Sequence, residues 1–487
     1  NEIFNHYQTL SQSFYKRNRT GDLMNRISED VGKVRMYVGP AVMYSLNTLM
    51  RFTIVVIYMY NISPKLTLYS LLPLPLLSYS IFKISSMIHK KSGEFQKNLS
   101  TLSSFTQEIF SGIRVIKAYA IESKKQKEFN DLSTESKTKA MDLALVNSLF
   151  GPLMILLIGL SNLVVVYVGG SMYINNDPEI ASIGVIAQFI LYINMLTWPV
   201  ASLGWVSSLV QEAEASQKRI NEFLKEKPEI KNTVSTHSTI DGAIKFNNVS
   251  FEYEDTNIKA LENISFEVKK GKTLAILGKT GSGKSTLLTL ISRLYDTNHG
   301  TVFIDNKDVK DLNLFDLRNQ ISGVPQDAFL FSDSIKNNIK FGNENATDEE
   351  VMEAAKKAVV HDNIMTFNHQ YETILGERGI TLSGGQKQRV SIARALIKNA
   401  PILLLDDCLS AVDTETEETI LNNLLEYCKD KTTIIVSHRV SSAKNADWIL
   451  ILDEGKIKEQ GTHSQLLEQN GYYKELYLKQ LSEKDFD

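Results

Sequence analysis

The chain has 487 residues, too many for one compact core, so two domains is the natural starting division. A formal net charge of −3 argues for neither nucleic acid nor an acidic partner, and two cysteines exclude an extracellular disulfide framework. Cys408 and Cys428 read as reduced packing residues rather than a redox pair, because an apolar strand precedes Cys408.

Hydropathy divides the chain. Long apolar runs fall between roughly residues 38 and 210, and the remainder reads as an ordinary soluble domain. Crossing a bilayer as helix takes about 20 residues. Four segments reach that length, at about 38–62, 64–84, 143–174 and 181–210. Positive charge sets their orientation. Lys16, Arg17, Arg19, Arg26, Lys33 and Arg35 precede the first span, a cluster from Lys90 to Lys139 separates the second from the third, and Lys218 and Arg219 follow the fourth. The alternate loops, Asn61 to Lys65 and Asn175 to Glu179, are short and hold one Lys between them. The chain is therefore expected to start and end in the cytoplasm.

Inside the first span lies Arg51, where a charge faces protein or water rather than lipid; structural pairing and substrate contact both fit. Between the second and third spans the pattern turns amphipathic. Ile84, Ile88, Phe95, Leu99, Leu102, Phe105 and Ile109 recur at helical spacing, giving one apolar stripe on a polar rod. The rod is expected to break near Ser111-Gly112, and IRVIKAYAIE to begin a returning rod. Such a hairpin is either a solvated projection or a lever whose turn, around Gln107 to Lys117, contacts the soluble domain.

After Glu226 a polar stretch, KEKPEIKNTVSTHST, reads as a linker over 227–240. Alternating strand patterns follow, and the strand TLAIL runs into Gly278, Lys279, Thr280, Gly281, Ser282, Gly283, Lys284, Ser285 and Thr286. That loop fits G-x-x-x-x-G-K-[ST] between a strand and a helix. Its glycines let successive N–H groups wrap a phosphate, and the helix start adds partial positive charge. Lys284 reaches the β- and γ-phosphates and Ser285 holds Mg²⁺. Further on, LSGGQKQR places Ser383, Gly384, Gly385 and Gln386 at another helix start, a second phosphate cradle. One nucleotide needs only one such cradle, so the second makes sense if it serves a nucleotide on another copy of the domain. The run PILLLDD is a buried parallel strand that delivers Asp406 and Asp407 at its carboxyl end. Asp406 is placed to hold Mg²⁺ through water, and Asp407 to orient or activate the attacking water.

The ordered set Tyr253, GKTGSGKS, Gln326, LSGGQ, ILLLDD, SAVD and His438 resembles the ATP-binding cassette superfamily from about Asp241 to Tyr477. The upstream domain resembles the half-transporters of the multidrug and lipid exporter group. The resemblance implies an all-α transmembrane domain (1–226) followed by an α/β P-loop NTPase (241–487), with ATP and Mg²⁺ as ligands. It implies a second exporter half, the lipid bilayer and a transported drug-like, lipid or peptide substrate as partners, with no nucleic acid. Tyr253 would stack on adenine, Gln326 would touch Mg²⁺ and relay to the levers, Asp413 would sit at the dimer seam, and His438 would contact the γ-phosphate. GERG, Gly376 to Gly379, matches a segment that in exporters contacts the levers. Six helices per half are the pattern of that group, so the first two are expected to be absent here, with RTGDLMNRISEDV resembling the end of a first lever. One departure stands out. The group carries Glu after the metal-binding Asp, and this chain has Asp407, which pulls the carboxylate back by roughly one carbon–carbon bond, where a misplacement of about 1 Å can cost about 10²-fold. A weak site of this kind pairs with a competent one in heterodimeric exporters; an Asp acting through an added water is the alternative. A dimerising regulatory ATPase, or a gated channel on the same scaffold, are the competing functions.

Overall fold

The computed structural model describes residues 1–376, 379, 382–409 and 414–484. It divides into two compact units, Gly21–Lys225 on the one hand and Asn1–Thr20 with Glu226–Asp487 on the other. Asp413, the rest of SAVD, and Glu377 and Arg378 of GERG lie outside the described residues.

Helices α1 (Glu2–Thr9) and α2 (Gln12–Arg17) belong to the unit that carries the sheets. The other unit is built on four long helices, α3 (Thr20–Ile62), α4 (Pro64–Ser111), α6 (Glu122–Ile174) and α7 (Ile183–Lys225), each apolar and long enough to cross a membrane. The turn between α3 and α4 is a single residue. Ser63 caps α4, its Oγ accepting from the Leu66 N–H at 3.1 Å, and Pro64 takes the first helical position, where a missing N–H does no harm. The Ser63 hydroxyl also donates to Glu179, and Lys65 pairs with Asp177 at 3.5 Å, so the two short loops are tied together. At the opposite end Arg219 Nε donates to Asp30 Oδ2 at 3.0 Å, linking α7 to α3.

Beyond its membrane-length stretch α4 continues as a rod packed on α6. Ile84, Ile88, Phe95, Leu102, Phe105 and Ile109 are half-buried, whereas Leu99 is 38% exposed and falls off the stripe. The rod ends at Gly112, where the break was expected. The return does not begin at Ile113, however. A separate short helix, α5 (Ile113–Ala118), comes first, and Ala120 with φ +51° turns the chain before α6 starts at Glu122. Arg51 is exposed and makes no ion pair among the described residues.

The second unit holds two sheets. Strands β1 (Ile244–Tyr253), β2 (Ile258–Val268), β4 (His299–Ile304) and β5 (Lys307–Asp308) form an antiparallel sheet in the order β2-β1-β4-β5. Strands β3 (Thr273–Gly278), β6 (Ile321–Val324), β7 (Ile402–Asp406), β8 (Thr432–Ser437), β9 (Trp448–Asp453) and β10 (Lys456–Gly461) form the other, in the order β10-β9-β3-β8-β7-β6. All its pairings are parallel except that of β10 with β9. Near-continuous apolar runs suit β3, β7 and β8 to a sheet covered on both faces, and they are buried along almost their whole length. In register, Leu277 lies opposite Ser437 and Asp406 opposite Val436, so the carboxyl ends of the three adjacent strands line up. Helices α8 (Lys284–Ile291), α9 (Gly384–Ile397), α10 (Thr414–Tyr427) and α11 (Tyr472–Lys484) complete the parts that concern the site.

The polar stretch at 227–240 is irregular yet pinned to this unit. Ile230 and Ile240 sit in its core, and Asp316 accepts from the Ser238 N–H at 2.8 Å. Cys408 and Cys428 are buried in apolar surroundings, and burial pushes the Cys408 thiol up to about 12, as packing residues require.

Candidate functional site

Strand β3 hands the chain to a loop that only glycine can build. Gly278 has φ +154° and a Cβ there would stand 2.2 Å from the Leu452 carbonyl oxygen; at Gly283, φ +95°, a Cβ would meet the Ala260 carbonyl oxygen at 2.3 Å. The resulting cradle keeps its polar atoms in unusual states. The Ser282 Oγ is buried without a partner. Lys284, itself buried, folds back so that its Nζ donates to the carbonyls of Gly278 and Lys279, both at 2.8 Å. Burial lowers the Lys284 pKa, and the carboxylates of Asp407 and Asp406 oppose that shift. An amine held by carbonyls over a glycine loop and faced by carboxylates is a cation ready to exchange partners. The loop fits a chain of phosphates.

Ser285, one residue into α8, donates its hydroxyl to Asp406 Oδ1 at 2.9 Å. Burial raises the Asp406 pKa; the Ser285 hydrogen bond lowers it again, and neighbouring Asp407 adds to the rise. A hydroxyl and a carboxylate in contact form the sparse protein contribution typical of Mg²⁺, which keeps waters and substrate oxygens as its remaining ligands. Among the described residues no cluster of three or more His, Cys, Asp and Glu exists that would hold a metal by itself. Asp407 follows with φ +44°, its N–H donating to the Val436 carbonyl at 2.9 Å. That left-handed backbone is one Asp tolerates better than most residues.

One cavity of about 260 Å³ gathers these groups. Tyr253, Thr280, Gly281, Gly283, Lys284, Ser285, Thr286, Gln326, Asp406, Asp407 and His438 all line it. Gly278, Lys279 and Ser282 shape the loop without lining the cavity. Tyr253 is held at its edge by its hydroxyl on Thr286 Oγ1 at 3.1 Å and by edge-on contacts with Phe251 and Tyr295. Lys16 of α2 lies over the Tyr253 ring, 4.4 Å from its centroid, a contact the sequence did not signal because the two residues are far apart in the chain.

Ser383, Gly384, Gly385 and Gln386 are not among the residues lining this cavity. They open α9 with a capping box. Ser383 Oγ accepts from the Gln386 N–H at 3.3 Å, and Gln386 Oε1 accepts from the Ser383 N–H at 3.0 Å. Ser383 and Gly384 are exposed. Deeper in α9, Gln388 donates to the Gln326 carbonyl, tying this helix to the loop that reaches the cavity. That link too was not legible in the sequence.

Comparison with known proteins agrees with this construction. The family of the ABC transporter transmembrane region matches residues 1–200, and the ABC transporter family matches 261–410. The chain is 38% identical over 481 residues to the probable multidrug resistance ABC transporter ATP-binding/permease protein YheI of Bacillus subtilis (strain 168), covering 98% of this chain and 82% of that one. It is likewise 38% identical over 486 residues to the multidrug resistance-like ATP-binding protein MdlA of Escherichia coli (strain K12), with coverage of 99% and 82%. Among solved structures, a bacterial Atm1-family ABC exporter with ATP bound superposes with a TM-score of 0.82 at 28% identity, over 98% of this chain and 84% of that one.

Proposed function

The chain belongs to the ABC exporters, ATPase-coupled multi-pass membrane transporters with a cytoplasmic cassette, and from that premise we propose that it is one half of a heterodimeric exporter of drug-like apolar compounds, with a slow ATPase site of its own. The observation that supports the ATPase part of this reading is the convergence of Lys284, the Ser285–Asp406 pair, Asp407, Gln326 and His438 on one cavity edged by Tyr253, and the substrate class follows the multidrug-type relatives. Tyr253 offers a ring for adenine. Lys284 exchanges its two carbonyl partners for phosphate oxygens, and its charge then opposes the charge that hydrolysis develops. Mg²⁺, when bound, would be held by Ser285, Asp406 and Gln326 and would supply charge neutralisation at the terminal phosphates. His438 would hold the terminal phosphate from the neighbouring strand end.

Asp407 occupies the place of the general base. Its carboxylate hangs one methylene short of a Glu, and hydrolysis falls steeply with such a setback. The α9 start, intact at Ser383 and Gly384, would complete the site of a partner that carries the longer base. A heterodimer makes use of both features, whereas a homodimer would carry the short base twice. The transport reading is tested in inside-out vesicles holding this chain and its partner half. ATP is expected to drive uptake of a drug-like dye against its gradient. Flux that ATP opens equally in both directions would contradict export.

A further inference from the structure

Strand β8 ends at Ser437, and the turn after it carries His438 to the cavity. Two side chains from outside the cavity hold that turn. Glu417 of α10 is buried; it pairs with Arg439 and accepts from the hydroxyls of Ser441 and Ser442 at 3.1 and 3.0 Å. Gln480 of α11 uses both ends of its amide. Its Oε1 accepts from the Val440 N–H at 2.8 Å, and its Nε2 donates to the His438 carbonyl at 3.0 Å. Helix α11 is itself well anchored. Tyr473 is fully buried, its hydroxyl lies 2.6 Å from His463 Nδ1, and Glu459 accepts from the N–H groups of Tyr472 and Tyr473. Gln480 follows Tyr473 by two helical turns, so both face the same way, one into the core and one onto the turn.

We propose that Gln480 is a positioning residue for His438, bracketing the backbone on either side of Arg439 so that the imidazole stays aimed into the nucleotide cavity. The inference rests on the reading of His438 as the residue that holds the terminal phosphate. The amide fixes the two backbone groups that set where the imidazole starts, and it does so without lining the cavity. Displacement of a catalytic group by about 1 Å can cost about 10²-fold, so loss of the bracket is felt in rate before it is felt in binding.

The test is a double-variant cycle on the full chain in lipid nanodiscs, run in the native form and in an Asp407→Glu background. Gln480→Ala is expected to lower kcat by about 10- to 100-fold, with ATP Kd within about twofold and Tm lower by about 2–4 °C, the cost of the two lost hydrogen bonds. His438→Ala should lower kcat comparably, and the double variant should be no slower than His438→Ala alone. Gln480→Glu keeps the acceptor for Val440 but turns a carboxylate oxygen on the His438 carbonyl. It should be as slow as Gln480→Ala, and it carries the same cycle if the alanine variant does not fold. A double variant slowed by the product of the two single effects would overturn the inference alone, as would a fall in kcat matched by an equal fold loss of ATP affinity. A silent His438→Ala would overturn it together with the assignment of His438.

Discussion

Helices α8 and α9 both open on glycine and serine, yet they begin in different surroundings. The start of α8 is enclosed. A buried strand leads into it, carbonyls of Leu452 and Ala260 press on its glycines, and Lys284 is folded inside. The start of α9 is open, with Ser383 and Gly384 exposed and the first turn closed by its own capping box. On the proposed reading, similar local sequence gives a complete phosphate cradle in one place and a half-site in the other. What differs is the tertiary wall around the helix end, present at α8 and lacking at the exposed Ser383 and Gly384.

Changes at the two helix starts should separate along that line. In the two-chain exporter, Ser383→Ala is expected to cut ATP hydrolysis by about 10²- to 10³-fold, as loss of one preorganised donor does, while leaving ATP affinity of this chain's own site unchanged. Steady-state ATPase and nucleotide titration read the two effects, and a parallel loss of affinity would merge the two starts into one site. Lys284→Ala acts on the enclosed start. Losing a hydrogen-bonding charge is worth about 1.5–3 kcal/mol, so ATP affinity should fall by about 10- to 100-fold, and an unchanged Kd would remove Lys284 from the phosphates. Tyr253→Ala should weaken ATP by about tenfold, the lower part of the range for base stacking, with the loss much smaller for a bare triphosphate competitor. The smallest effect belongs to Gln386→Ala, which opens the capping box at about 1 kcal/mol. A Tm lower by about 2–4 °C with unaltered ATP binding is the expected result of a melting curve.

Much of this site was legible because its parts are local. Gly278 to Thr286 fix their own backbone, and β3 and β7 announce themselves by apolar runs that end at Gly278 and Asp406, whereas β8, opening on Thr432 and Thr433, was not singled out. The long apolar helices were readable for the same reason. Contacts between distant stretches were not. Nothing in a sequence ties Lys16 to the Tyr253 ring, Gln388 to the Gln326 carbonyl, or Gln480 to the His438 turn, because each needs the fold to bring two segments together. The short helix Ile113–Ala118 was missed because its end depends on one residue, Ala120, entering the left-handed region. Alanine gives no sign of that beforehand.

Asp407 is proposed as a weak base whose site depends on a partner. It is tested most directly by the ATPase rate of this chain purified alone in nanodiscs, set against Asp407→Asn and Asp407→Glu. The account predicts slow turnover for the chain alone, little further loss in Asp407→Asn, and a clear rise in Asp407→Glu. Brisk turnover by the chain alone, abolished by Asp407→Asn, would show Asp407 to be a working base and would contradict the need for a special partner.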